Sequence, residues 1–393
     1  MKRIVFMGVP AFGHTNPTIA LVKKLVEDGH QVRYYTITNF REILEAQGAE
    51  VICYDEKMDY VTVEHVNKPT HDQTNHFSIL LSLVSEAIED MIENYLDDIR
   101  NYQPHVIVGD SLAFWASIIA DKLAIPCVSS NTHFAFNKHT PTMLSHLTWP
   151  DSLALLIQSP KIIKHYKKIK GLGYKTRHVT DLSLTREDIP VIVTTSQEFQ
   201  PTGDTFGDNI FFTGPIIRDS LTTWSKKDRP LIYISLGTVN NQASAFYQNC
   251  FKALADKPFD VVLSVGVETD IESLGIIPSN ITVTHKVDQI AILKEADVFL
   301  THCGLNSTSE ALYYEVPLLV FPQTDEQSIV ANQVLTKGAG IKLKNTQPKT
   351  IATGIDILLN DNKYRAKASQ IARTFKASGG VEKAEQVILD YCL

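Results

Sequence analysis

Short apolar runs alternate with amphipathic stretches along nearly the whole chain, and no other feature of the sequence restricts the fold as strongly. "RIVFMGV" leads into "TIALVKKLVEDG", "QVRYYTI" into "FREILEAQG", and "HVIVGD" into "ASIIADKLA", with "EVICY" and "IPCVSS" as further strands and a helical stretch over residues 78–102. Strand and helix in strict alternation specify a parallel sheet covered by helices on both faces. After "VIVTTS" and "IFFTGP" comes "IRDSLTTWSKKDRP", polar and without an apolar period, which reads as an interdomain linker. The pattern then returns with "LIYISLG", "DVVLSVG", "ITVTHKV", "VFLTHCG" and "PLLVFP", separated by helical segments. A chain of 393 residues is long enough for two such domains. The sequence therefore predicts an α/β protein of two Rossmann-like, doubly wound parallel-sheet domains. Their bounds are 1–215, a linker at 216–229, 230–375, and a final helical segment at 376–393.

The charge balance is acidic, 37 Lys and Arg against 44 Asp and Glu, so nucleic acid is not expected as a general partner. Five cysteines (Cys53, Cys127, Cys250, Cys303 and Cys392) lie far apart with no C-x-x-C pair, which suits free thiols in a reducing compartment rather than a disulfide frame or a zinc site. "MKRIVFMGVPAFG" has the charges of a secretion signal, but its apolar run is short and meets Pro10 and Gly13, so it reads as a first strand. With no apolar stretch near the ~18 residues of a membrane span, a cytoplasmic protein is expected.

In open α/β sheets ligands gather at the carboxyl ends of the strands, and the loops there carry the distinctive residues. The first, "GVPAFGHTNP", places His14 where nucleotide-binding folds usually keep glycines, with Asn16 expected as helix N-cap and Pro17 as the first helical residue. Gly29 closes that helix. The block "FLTHCGLNSTSEAL" ends a strand at His302 and opens a helix near Asn306 or Ser307. A helix N-terminus beside Gly304 is a natural cradle for phosphate. Ser307 and Glu310 have the S-x-x-E spacing of a capping box, so Glu310 is open to either a structural or a ligand role. "SLGTV" supplies Gly237 and Thr238 after another buried strand. "PQTDEQ" supplies Glu326 and Gln327, a carboxylate and an amide suited to sugar hydroxyls, unless they belong to a helix start capped by Asp325.

Taken together, "HCG-x-NS-x-x-EAL", the "P-L-x-x-x-P" strand, the Glu-Gln pair and the "GHTNP" loop resemble the UDP-dependent glycosyltransferase superfamily, which includes plant secondary-product and bacterial macrolide and flavonoid-type enzymes. The resemblance spans both halves. It implies a GT-B fold with the active site in the cleft between the domains and a C-terminal helix that crosses back to the first. It implies that His302 contacts the diphosphate, lined by Gly304, Asn306 and Ser307, with Gly237 and Thr238 on its other side. Glu310 would hold the ribose hydroxyls, Glu326 and Gln327 the donor sugar, and Val287 and Gln289 the base. Many plant members have Trp and Pro in that last segment, where "HKVDQ" here has Lys286 and Asp288, so uracil is expected and thymine stays open.

His14 then suits a general base that takes the proton of an acceptor hydroxyl, with Asp110 at the end of "HVIVGD" fixing its tautomer. The expected reaction is inverting transfer of a hexose, glucose from UDP-glucose, by single displacement. No metal or other cofactor is expected, and the one acidic run of D-x-D flavour, "LDD" at 96–98, falls in a helix. Phe12, Phe77, Phe114, Phe134 and Met143 are candidates for an apolar acceptor pocket taking flavonoids, phenols, polyketides or macrolides, although Phe114 also fits a helix core. The basic stretch 159–179 reads as a solvated helix face or as a weak contact with an anionic membrane. A sugar-nucleotide epimerase and a glycolipid-forming transferase at a membrane surface are the alternatives, and a monomer or weak dimer is expected.

Overall fold

The computed structural model describes residues 1–54, 73–140, 149–225, 228–237 and 243–393. Two compact units divide it. The first comprises residues 1–194, 202–216 and 379–393, the second residues 195–201 and 217–378.

The first unit is built on seven parallel strands: Arg3–Met7 (β1), Gln31–Thr36 (β2), Glu50–Cys53 (β3), Val106–Asp110 (β4), Cys127–Asn131 (β5), Val191–Val193 (β6) and Ile210–Phe212 (β7). They lie in the order β3-β2-β1-β4-β5-β6-β7. The middle strands are buried on both faces, β4 along its whole length, which is why they read as unbroken apolar runs. Helices Phe12–Glu27 (α1), Arg41–Glu45 (α2), Gln73–Tyr102 (α3), Phe114–Leu123 (α4) and Trp149–Gly171 (α5) belong to the same unit. Ile19, Leu21, Val22 and Leu25 of α1 are buried in the core with β1, each contributing about 1.5–3 kcal/mol by burial.

Helix α1 begins a turn and a half earlier than its sequence suggests. Its N-cap is Ala11, whose carbonyl accepts from His14 N and Thr15 N at 3.0 and 2.8 Å. Asn16 and Pro17 therefore lie inside the helix, Pro17 at the expense of one ladder bond. The consequence is functional: His14 stands on the rigid first turn of a helix, not in a loop.

The second unit repeats the plan with Leu231–Ser235 (β8), Asp260–Ser264 (β9), Ile281–Thr284 (β10), Val298–Thr301 (β11), Leu318–Val320 (β12) and Gly340–Lys342 (β13), ordered β10-β9-β8-β11-β12-β13 and all parallel. Its helices are Ser244–Leu254 (α6), Gln289–Leu293 (α7), Leu305–Tyr313 (α8), Asp325–Lys337 (α9), Pro348–Asn360 (α10) and Lys363–Ala377 (α11). The final helix, Gly380–Asp390 (α12), belongs to the first unit. Ala384, Val387 and Ile388 enter that unit's core, Glu385 pairs with Lys24 of α1 at 3.1 Å, and Lys2 Nζ donates to the Leu393 carbonyl at 2.6 Å.

Two further sequence features find their physical reason here. The polar stretch after residue 216 is not a loose tether at its start: Arg218, Ser220, Leu221 and Thr222 are all bonded to Asp288. In the basic stretch, Lys168 and Lys175 are paired with Glu89 and Asp121, each at 2.7 Å. The five cysteines are free thiols, and among the described residues no helix is long and apolar enough to cross a membrane.

Candidate active site

Each sheet reverses its strand order at one place, between β1 and β4 in the first unit and between β8 and β11 in the second. Crevices beyond the strands' carboxyl ends at such a reversal are where ligands bind. The chemistry-bearing residues stand at these two places.

In the first unit β1 leads to α1 and β4 ends on Asp110. His14 Nδ1 lies 2.7 Å from Asp110 Oδ2, and Thr132 Oγ1 lies 3.2 Å from the same nitrogen. The other carboxylate oxygen accepts from Leu112 N at 2.8 Å, so Asp110 is fixed at both ends. Side-chain exposures of 17% for His14 and 5% for Asp110 put the pair at the edge of solvent. An ionised carboxylate only accepts, so Nδ1 carries the proton and the lone pair falls on Nε2. Phe12, two residues before His14, is 46% exposed against Phe40, and Leu112, two after Asp110, is 39% exposed. Both are exposed apolar side chains within two residues of the pair in the chain.

The other apolar candidates divide. Phe114 is 8% exposed and stacked on Tyr174, and Phe134 is 2% exposed. Both are buried, Phe114 at the start of α4 and Phe134 in the loop that follows β5. Met143 and Thr238 lie outside the described residues, as does the side chain of Phe77.

In the second unit β11 runs into "HCG" and α8, whose N-cap is Gly304 with no capping side chain. Ser307 and Glu310 are thus both inside the helix and make no capping box. The His302 ring occupies a slot between two glycines. A Cβ on Gly237 would meet its Cε1 and Nε2 at 2.6 Å, and one on Gly304 would meet Nε2 at 2.7 Å. Gly237 has φ +82, the left-handed region. Burial pushes the His302 pKa down to about 4, against a weaker opposing pull from the Ser235 backbone, so the ring is a neutral hydrogen-bonding group at pH 7. Cys303 beside it takes φ 69, uncommon for a residue with a side chain and the kind of local strain found at binding turns.

Glu310, half-buried, accepts from Gln289 Nε2 at 2.5 Å. The same amide nitrogen donates to Ser307 Oγ at 3.1 Å, and Gln289 Oε1 accepts from the buried Tyr233 hydroxyl at 3.1 Å. Gln289 therefore holds Glu310 in place instead of presenting an idle amide. Burial raises the Glu310 pKa, with Gln289 working against that shift. Asn306 sits half-buried in the first turn of α8, and Val287 half-buried before α7. In the β12–α9 loop Thr324, not Asp325, caps the helix, accepting from Gln327 N at 3.3 Å. Gln327 Oε1 reaches back to Gln323 N at 2.8 Å, and Glu326 is left exposed.

Sequence reasoning missed Asp288 as an anchor, along with Ser111 and His133 beside the His14 pair. Asp288 Oδ2 accepts from Ser220 Oγ, Leu221 N and Thr222 N at 3.0, 2.7 and 3.1 Å, and Oδ1 faces Arg218 at 3.2 Å. Burial opposes its ionisation, but the Ser220 bond, Arg218 and the two backbone N–H groups outweigh it and hold the pKa below the usual carboxylate value. The carboxyl pKa is lower folded than unfolded, so the associated stability is present above about pH 4 and is lost as pH falls through the folded value. Asp288→Ala is expected to lower unfolding free energy by about 1–2 kcal/mol at pH 7. In urea titrations of both proteins the gap narrows below pH 4, whereas a pH-independent gap would assign the loss to packing alone.

Residues 249–383 match the family model described as the erythromycin biosynthesis protein CIII-like C-terminal domain. The chain is 32% identical to the NDP-glycosyltransferase YjiC of Bacillus subtilis strain 168, over 97% of this chain and 95% of that protein. It is 31% identical to the uncharacterised UDP-glucosyltransferase YojK of the same organism, over 99% of this chain and 97% of that protein. Among solved structures the glycosyltransferase of kitacinnamycin superposes with a TM-score of 0.83 at 24% identity, covering 100% of this chain and 99% of that one, which shows the GT-B fold.

Proposed function

This chain belongs to the glycosyltransferases of the NDP-glycosyltransferase and macrolide type, and we propose on that footing that it moves a hexose, glucose from UDP-glucose, to a hydroxyl of a small apolar acceptor. The observation that carries the proposal is the 2.7 Å contact of His14 Nδ1 with Asp110 Oδ2, which leaves the Nε2 lone pair as the base.

In this reading the acceptor oxygen gives its proton to His14 as it attacks the anomeric carbon, and the nucleoside diphosphate leaves with inversion. General-base help of 10²–10⁴-fold corresponds to roughly 3–5 kcal/mol of barrier. The diphosphate lies at the N-terminus of α8, where Gly237 and Gly304 let the backbone come close and neutral His302 donates a hydrogen bond. That cradle is sufficient without a metal ion. Glu310, steadied by Gln289 and Ser307, binds the ribose hydroxyls. Glu326 and Gln327 meet the hexose, and Phe12 and Leu112 face the acceptor's apolar body. Flavonoids, other phenols, polyketides and macrolides all have such a body.

Mass spectrometry of reactions with UDP-glucose or dTDP-glucose and a panel of these acceptors tests the proposal. Hexosyl adducts formed from UDP-glucose in preference support it. Adducts only from dTDP-glucose overturn the donor assignment, and nucleotide binding without any adduct overturns the acceptor class.

A further inference from the structure

A second polar pair flanks His14 and Asp110, one residue further along each chain segment. Ser111 follows Asp110, and His133 follows Thr132, the two residues whose side chains touch His14 Nδ1. Ser111 Oγ lies 2.9 Å from His133 Nε2, and His133 Nδ1 lies 2.6 Å from the Phe134 carbonyl oxygen. The Phe136 ring stacks on the imidazole with centroids 5.6 Å apart and planes at 25°. Both Ser111 and His133 are half-exposed, so a ligand reaches them.

The hydrogen bonds decide what this pair can do. A carbonyl only accepts, so Nδ1 carries the imidazole proton, and in the neutral ring Nε2 accepts. The Ser111 hydroxyl must then donate to Nε2, and its oxygen is left with lone pairs alone. The backbone adds no donor at this corner: Ser111 N donates to the Ser130 carbonyl and Leu112 N to Asp110 Oδ1. The corner takes hydrogen-bond donors and offers none from these groups. Ser111 stands one residue beyond Asp110, the carboxylate bonded to the base, and consecutive Cα atoms are about 3.8 Å apart. The corner therefore adjoins the residues that hold the base, beside the apolar surface of Leu112.

We propose that Ser111, held by His133, is the acceptor-specificity residue: it accepts a hydrogen bond from a second hydroxyl of the acceptor while His14 serves the first, so that diols and dihydroxyaryl compounds are preferred over monohydroxylated analogues. This rests on the transferase reading above, and both residues lie outside the set that sequence motifs mark.

The test compares kcat/KM for 7,8-dihydroxyflavone and 7-hydroxyflavone, with UDP-glucose as donor, in wild type, Ser111→Ala, Ser111→Thr and His133→Phe. A neutral hydrogen bond at a half-exposed site gives about a tenfold preference for the dihydroxy compound in wild type. In Ser111→Ala and His133→Phe the ratio falls to near one, with the monohydroxy kcat/KM within about threefold of wild type. Ser111→Thr keeps a hydroxyl and restores the ratio. A merely structural role moves both acceptors together, and that result, or an unchanged ratio in Ser111→Ala, overturns the inference alone. Absence of transfer to both flavones by the wild-type protein, with UDP still bound, overturns the acceptor class proposed above and the inference with it.

Discussion

His14→Ala lowers turnover of a hydroxylated acceptor by about 10²–10⁴-fold, while UDP affinity stays within about twofold of wild type. The split follows from where the residues stand. His14 is bonded to Asp110 and Thr132, all in the first unit, whereas the proposed diphosphate cradle of His302, Gly237 and Gly304 is in the second. Asp110→Asn gives a sharper version of the same experiment. An amide NH₂ facing His14 Nδ1 would pull the proton to Nε2, leaving the imidazole as a donor where a base is needed. The asparagine keeps an oxygen for Leu112 N, so the local backbone is retained. Turnover then falls by a factor comparable to that of His14→Ala, with no change in thermal midpoint beyond a few degrees. A nearly active Asp110→Asn protein would show that orientation, not tautomer, is the carboxylate's contribution. A nearly active His14→Ala protein would remove the general base from the mechanism.

The two doubly wound sheets were legible because period-two and period-3.6 patterns are written in the apolar residues of the strands and helices themselves. The short strand Gly340–Lys342 was not, since its one isoleucine between a glycine and a lysine makes no apolar run, unlike the equally short Val191–Val193 and Leu318–Val320. The start of α1 was misplaced for a related reason: Asn16 and Pro17 have the chemistry of a helix start, but the Ala11 carbonyl already takes the N–H groups of His14 and Thr15. Local propensity was overridden by the geometry of the strand-to-helix turn. Among site residues, those in the turn after each strand could be found because they break the apolar pattern with His, Gly, Asp or Glu. Asp288 could not, because its partners lie 66–70 residues away at Arg218, Ser220, Leu221 and Thr222. The capping-box reading of Ser307 and Glu310 failed on three residues of register. Once Gly304 is the N-cap, Glu310 sits in the second turn and meets Gln289 instead. Ser111 and His133 were invisible for want of any spacing rule that joins the ends of neighbouring strands.

Gly304→Ala lowers UDP affinity by about 10–100-fold although it adds only a methyl group and its backbone, at φ −59 and ψ 137, accepts any residue. The damage is steric. The new Cβ would stand 2.7 Å from His302 Nε2, closer than real contacts allow, and the opposite wall of the slot is Gly237, where a Cβ would be equally intolerable at 2.6 Å. The imidazole has to leave the slot, and with it goes a hydrogen bond to a charged phosphate, of order 1.5–3 kcal/mol. Gly237→Ala does the same and adds the strain of a left-handed φ, roughly 1 kcal/mol. Calorimetric titration with UDP reads the loss, and a double-mutant cycle identifies its route. In a His302→Ala background the ring is gone, so Gly304→Ala should lower affinity no further. If instead the two losses add, the glycine acts directly on the diphosphate through its backbone and the slot around His302 is incidental. If neither substitution weakens UDP, the phosphate cradle lies elsewhere on the second sheet's carboxyl edge, and the donor assignments of Gly237, His302 and Gly304 fall together.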